Sequence, residues 1–153
     1  MQAVDLIAAG GVIASPPSDS FESAVRLLTH ALIANGQLAT DVGEPAVRAV
    51  CEREAVGSTA IVEIGVAVPH ARVEGVDGVV AALATSPTAV YYPITGVPIS
   101  IMVMVLSAPD RVEDHLNALA GVSLLLQSAS LRRALQRAGD AATALRVLRR
   151  GSA

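Results

Sequence analysis

Residues 53–72 read R-E-A-V-G-S-T-A-I-V-E-I-G-V-A-V-P-H-A-R, and the chemistry of this run decides what the chain around it must be. Arg53 stands in the last turn of a helical pattern that Gly57 ends. Ser58 and Thr59 follow in a turn. Residues 59–68 are mostly apolar, as a strand buried on both faces should be. Gly65 interrupts them, which predicts a bulge or a close backbone approach. Glu63 is the one charge in the strand and must face solvent or find a partner. Pro69 fixes its own φ at roughly −65° and has no N–H, so the strand does not simply continue past it. Val68 is pushed towards an extended conformation by the proline after it. His70 is therefore expected just beyond the end of a buried strand, where open α/β sheets usually carry their chemistry.

Two residues of the run have both a structural and a chemical reading. A cation in the last turn of a helix is favoured by the helix dipole, which accounts for Arg53 without any ligand. Alternatively, Arg53 reaches past the helix end to an anion. His70 either ends a strand and hydrogen-bonds a nearby carbonyl, or serves as acid, base, metal ligand or nucleophile.

Working outward, the first helix begins near Asp19, whose spacing to Glu22 suits a capping box. Phe21, Ala24, Val25, Leu28, Ala31 and Leu32 recur at helical spacing, and Asn35-Gly36 supplies a left-handed stop. His30 lies in this helix with no polar cluster around it. Pro45 suits the first turn of the next helix, with Val47, Val50, Cys51 and Ala55 facing inward. Beyond His70, residues 75–78 read as a turn, 79–85 as a strand, and 86–95 as a loop with room for a short edge strand. Residues 99–106 form the strongest strand of the chain. Asp110 and Glu113 repeat the capping-box spacing before a third helix. Its buried side is expected to hold Val112, Leu116, Leu119, Val122, Leu125 and Leu126, with His115 at the edge of the stripe. Ser130 and Asp140 are expected to cap two closing helices. The first 18 residues carry few signals, although Val4, Leu6, Ile7, Val12 and Ile13 can pack against the body.

These elements fit one α/β domain spanning residues 1–153, a mixed β-sheet sandwiched between helices on both faces. Half of the chain is apolar, with Phe21, Tyr91 and Tyr92 its only aromatic residues, so the core is aliphatic. The net charge of −3 argues against nucleic acid as a partner. The longest apolar run, 97–106, is about half what a membrane-spanning helix needs, so no membrane insertion is expected. No signal-peptide n-region precedes it, and a cytoplasmic protein is expected. Cys51 is the only cysteine, which excludes an internal disulfide and a cysteine metal cluster. No acidic cluster suits magnesium, no glycine-rich nucleotide loop is present, and His70 with His115 lacks a third zinc ligand. No cofactor is implied.

The polar residues without an obvious structural duty are His70, His115, Arg53, Ser58 and Thr59. A histidine nucleophile with arginine and hydroxyl donors suits phosphoryl transfer, which asks for positioning and for donors to the equatorial oxygens.

The blocks R-E-A-V-G-S-T, G-V-A-V-P-H-A and D-H-L-N-A-L-A-G-V-S-L-L-L, in this order, resemble the mannitol/fructose-type enzyme IIA domains of the bacterial phosphotransferase system, among them the nitrogen-regulatory IIA proteins. The similarity runs from about residue 21 to 149. It implies that His70 accepts a phosphoryl group from the histidine-containing phosphocarrier protein. It also implies that His115 is the second active-site histidine, Arg53 the active-site arginine, and Ser58 and Thr59 residues that shape the phosphate site. Enzyme IIB or a regulatory target protein would be the onward partner, for sugar uptake or nitrogen-type regulation. The segment 60–65 departs from the family pattern: it is one residue longer and lacks the first glycine, and an extra residue in a strand bulges it or flips its register. Thr95-Gly96 likewise replaces the usual Asp-Gly. The altered segment motivates the alternative, a non-phosphorylated regulatory module that binds a protein through a degenerate site.

Overall fold

The computed structural model describes residues 2–93 and 96–151. Its centre is an antiparallel pair, β5 (Val79–Thr85) and β6 (Ile101–Ser107), matched in register from Val79 opposite Ser107 to Thr85 opposite Ile101. Both strands read as continuous apolar runs because both of their faces are covered. Alternate residues serve different cores. Val80, Ala82, Ala84, Met102, Met104 and Leu106 pack with helices α2 (Phe21–Ala34) and α3 (Gly43–Val56). Ala81, Leu83, Ile101, Val103 and Val105 pack with α1 (Ala3–Gly10), α4 (Val112–Leu125), α5 (Ala129–Arg137) and α6 (Ala141–Gly151). The mixed sheet sandwiched between helices is thus as expected.

The silent N-terminal segment forms α1 and a short strand, β1 (Val12–Ala14), which runs parallel to β5. Gly10 makes this possible. A Cβ built there would lie 1.7 Å from the Ala81 carbonyl oxygen and 2.9 Å from Leu32 Cδ2, so only a bare backbone fits so close to the sheet.

The run before His70 is not one strand. It folds into a hairpin of β2 (Ala60–Ile61) and β3 (Val66–Ala67), with Ala60 opposite Ala67. Gly65, at φ +65°, closes the turn, and the Ile64 N–H donates to the Ile61 carbonyl at 3.2 Å. Residues 62–65 form this turn, and no strand bulge interrupts the paired residues on either side of it. Glu63 faces solvent at its tip.

β3 pairs parallel with β6, and so does β4 (His70–Arg72), with the register unchanged: Val66 is opposite Ile101 and His70 opposite Val105. Val68 and Pro69 interrupt one line of pairing without shifting it. Pro69 cannot donate to the ladder, yet its carbonyl accepts from the Val105 N–H at 3.0 Å. His70 therefore opens a second short strand instead of standing beyond the last one.

Helix ends follow local chemistry more closely than spacing predicts. Ser20, not Asp19, caps α2, in a reciprocal box with Ser23: the Ser23 N–H donates to Ser20 Oγ at 3.0 Å. At its far end the Gln37 N–H donates to the Leu32 carbonyl and the Gly36 N–H to the Ile33 carbonyl, the double bond of a left-handed stop at Gly36. Helix α4 starts at Val112, and its cap residue Arg111 makes no side-chain capping bond, so the Asp110–Glu113 box does not form. Ser128, two residues ahead of Ser130, caps α5, while Asp140 caps α6 as expected through the Thr143 N–H at 2.7 Å. Thr95, the end of the expected 86–95 loop, lies outside the described residues. Tyr91 pairs with Ile99 as an isolated antiparallel bridge, the short edge pairing foreseen there.

Candidate functional site

Among the described residues strand β4 pairs with no strand but β6, so it forms an open edge of the sheet, with α3 leaning over one face and α4 over the other. A cleft of about 810 Å³ opens at this edge. Arg53 and Val56 line it from α3, His70 and Arg72 from β4, and His115 and Leu116 from α4. Strand alternation explains the choice of residues. Ala71 points into the α2–α3 core, which turns His70 and Arg72 to the α4 face.

His70 and His115, 45 positions apart in sequence, come together here, with ring centroids 5.4 Å apart and planes inclined at 60°. The His70 ring is fixed by its Nδ1, 2.9 Å from the Val68 carbonyl oxygen. A carbonyl only accepts, so Nδ1 carries the proton and the lone pair of the neutral ring sits on Nε2. The carbonyl contact that a purely structural histidine would make is present, and it leaves Nε2 free of that contact.

His115 is buried, 7% exposed, and its Nδ1 is hydrogen-bonded to Ser107 Oγ at the end of β6. Burial, and then the neighbouring charges of His70 and Arg72, hold its pKa below the ordinary imidazole value.

Arg53 is exposed, and its Nη1 donates to the Gly57 carbonyl at 2.9 Å. It thus caps its own helix and borders the cleft at once. Ser58 and Thr59 do not line the cleft. Ser58 Oγ donates to the Glu54 carboxylate at 2.9 Å, and Thr59 does so through its N–H at 2.9 Å and its Oγ1 at 2.8 Å. Glu54 went unremarked in the sequence. Its signal was its place one helical turn before two hydroxyls, and it ties the end of α3 to the hairpin. Cys51 is half-buried against the core, and burial raises its thiol pKa.

Part of the rim is apolar. Val56 is 87% exposed, Leu116 59% and Val112 48%. Val112 and Leu116 were expected on the buried side of α4, and Ala55 on that of α3. Val122 and Leu126 of the expected side are buried, but His115 and Ala118 are buried where Val112 and Leu116 were expected, and Ala55 is exposed. Among the described residues no group of three or more His, Cys, Asp or Glu side chains is placed to hold a metal ion. No described helix is long and apolar enough to cross a membrane.

The family model for the phosphoenolpyruvate-dependent sugar phosphotransferase system, EIIA 2, matches residues 6–151. No match to a curated protein was found. Among solved structures, the nitrogen regulatory protein IIA-Ntr from Neisseria meningitidis superposes with a TM-score of 0.76 at 20% identity, over 95% of this chain and 97% of its own. IIA mannitol from Escherichia coli superposes at 0.69 and 19% identity, over 92% and 96%. A complex of Escherichia coli enzyme IIA mannitol with phosphorylated enzyme IIB mannitol is similar at 0.72 and 17% identity, over 92% and 95%.

Proposed function

The chain belongs to the EIIA 2 family of the phosphoenolpyruvate-dependent sugar phosphotransferase system, and from that premise we propose that it is a phosphoryl carrier with His70 as the acceptor. The observation that carries this reading is the Nδ1 contact to the Val68 carbonyl, which leaves Nε2 with its lone pair in an open cleft. In the proposed step Nε2 attacks the phosphorus of a phosphohistidine on the donor protein. The new N–P bond forms as the donor's N–P bond breaks, and the donor imidazole leaves with the electron pair. No oxidant, metal or general base is required of this chain. Developing negative charge on the equatorial oxygens meets Arg53 on one wall and His115 on the other, both lining the cleft. Ser58 and Thr59 act on this site through Glu54, by fixing the turn between α3 and the hairpin.

The shape of the site favours a protein as donor. Exposed Val56, Val112 and Leu116 around a polar centre make a rim that a protein surface can cover, whereas a small phosphorylated metabolite leaves it bare. We take the donor to be the histidine-containing phosphocarrier protein. The onward acceptor is an enzyme IIB, by analogy with the mannitol pair, or a regulatory target. The departing segment 60–65 supplies no residue to the cleft, and Glu63 is at the hairpin tip. Its charge is therefore no obstacle to a phosphorylated His70.

The test is intact-mass analysis after incubation with enzyme I, the phosphocarrier protein and phosphoenolpyruvate. One acid-labile phosphate on the wild type, absent from His70→Ala, is expected. Labelling of both proteins overturns the acceptor assignment, and labelling of neither, with native and heterologous donors, favours the non-phosphorylated binding module.

A further inference from the structure

Ser107 ends β6 with no exposed surface, and it lies opposite Arg72 of β4 and Val79 of β5. Alternation along β6 puts it on the same face as Val105 and Val103, the face that α4 covers. Its hydroxyl meets His115 Nδ1. No other partner for that hydroxyl occurs among the described residues.

A hydroxyl has one proton to donate, and the proton of a buried hydroxyl is costly to leave without an acceptor. If Nδ1 of His115 held the ring proton and donated it to Ser107 Oγ, the Ser107 proton would have no acceptor. The opposite direction satisfies both groups: Ser107 donates, Nδ1 accepts, and the neutral ring keeps its proton on Nε2. We propose that Ser107 is a positioning residue that holds His115 as its Nε2–H tautomer, so that the ring offers the cleft a donor instead of a lone pair. This rests on the phosphoryl-carrier reading for its purpose, though the tautomer itself does not. A phosphoryl group on His70 has only acceptor oxygens, so the tautomer decides whether His115 attracts or repels it. The two rings are then complementary. Val68 keeps the lone pair of His70 at Nε2, and Ser107 keeps the proton of His115 there.

Ring-nitrogen ¹⁵N spectra of the unphosphorylated protein test the tautomer directly. The wild type is expected to show His115 protonated at Nε2 and unprotonated at Nδ1. Ser107→Ala should lose this fixed pattern and show exchange between tautomers, and Ser107→Thr should restore it. Phosphoryl transfer should slow about tenfold in Ser107→Ala, by analogy with the lower end of the loss when the hydrogen-bond partner of a metal-bound imidazole is removed, and recover in Ser107→Thr. A wild-type spectrum with the proton on Nδ1 overturns the proposal. So does a Ser107→Ala protein with an unchanged spectrum or a wild-type transfer rate. A wild type that takes up no phosphate sinks the carrier reading, while the spectra still decide the tautomer.

Discussion

Arg53→Lys separates two duties that one side chain performs. The guanidinium donates to the Gly57 carbonyl at 2.9 Å from the last turn of α3, and it borders the His70 cleft. A cation at a helix C-terminus contributes about 0.3–1 kcal/mol, and lysine retains that charge. The hydrogen bond is exposed, so its net contribution is at the low end, roughly 0.5 kcal/mol. Arg53→Lys should therefore change stability by no more than about 0.5 kcal/mol, and Arg53→Ala by about 1 kcal/mol. Transfer should respond differently. Removing one donor from a site of developing oxyanion charge costs about 2.7–4 kcal/mol where water is excluded. This cleft is open and Arg53 is exposed, so the loss should sit below that range, at about 2 kcal/mol or roughly 30-fold for Arg53→Ala. Lysine supplies charge without the planar fork, and a loss of about tenfold is expected. Rapid-quench transfer from the phosphorylated phosphocarrier protein, with urea melts in parallel, measures both. If both variants transfer at the wild-type rate while Arg53→Ala melts earlier, Arg53 is a helix cap and the argument for an anion role fails.

The lowered pKa of His115 predicts a pH dependence whose sign can be worked out. The unfolded chain takes up a proton near pH 6.5 and the folded chain only at lower pH, so the unfolded state binds more protons between the two values. This contribution is complete above about pH 6.5 and is lost as the pH falls towards the folded value, with a slope of at most about 1.4 kcal/mol per pH unit. His115→Gln should flatten the curve in that window; a wild-type-minus-variant difference that stays constant with pH would show that burial does not depress the group. Gly10→Ala should cost about 3 kcal/mol, since α1 must lift from the sheet to clear the Ala81 carbonyl. A midpoint within about 0.5 kcal/mol of the wild type would mean that α1 docks less closely than described.

What was legible in the sequence divides along physical lines. Strands β5 and β6 were plain, because burial on both faces leaves a nearly unbroken aliphatic run. The end of α2 was equally plain, since Asn35-Gly36 meets a backbone requirement that few other pairs meet. Caps were harder. Asp19 and Ser20 are both good capping residues one position apart and both bond the Ser23 hydroxyl, but only Ser20 accepts from the Ser23 backbone N–H. The hairpin before His70 was hidden because its four-residue turn is apolar except for Glu63, so composition said strand where Gly65 made a turn. Of the site, His70, His115 and Arg53 stood out as separate residues. What brings them together, the parallel pairing of β4 with β6 beneath α4, is a tertiary fact that spacing does not encode. Ser107 drew no notice, because the expected strand 99–106 stops one residue short of it.

The misreading of α4 is instructive in another way. Apolar residues at helical spacing mark the face of a helix that leaves water, and Val112 and Leu116 have that spacing. Periodicity does not say what the face leaves water for. Here the sheet takes His115, Ala118 and Val122, and an adjoining stripe with Val112 and Leu116 remains bare beside the cleft. On the phosphoryl-carrier reading the bare stripe and the reactive ring are one device. An Nε2 that must meet the phosphorus of another protein has to sit where that protein can approach, so the core cannot close over it. Apolar side chains around it are then covered only during the encounter, when water is also excluded from the arginine and the second histidine. Their attraction for the transferring phosphoryl group becomes strong only at that moment.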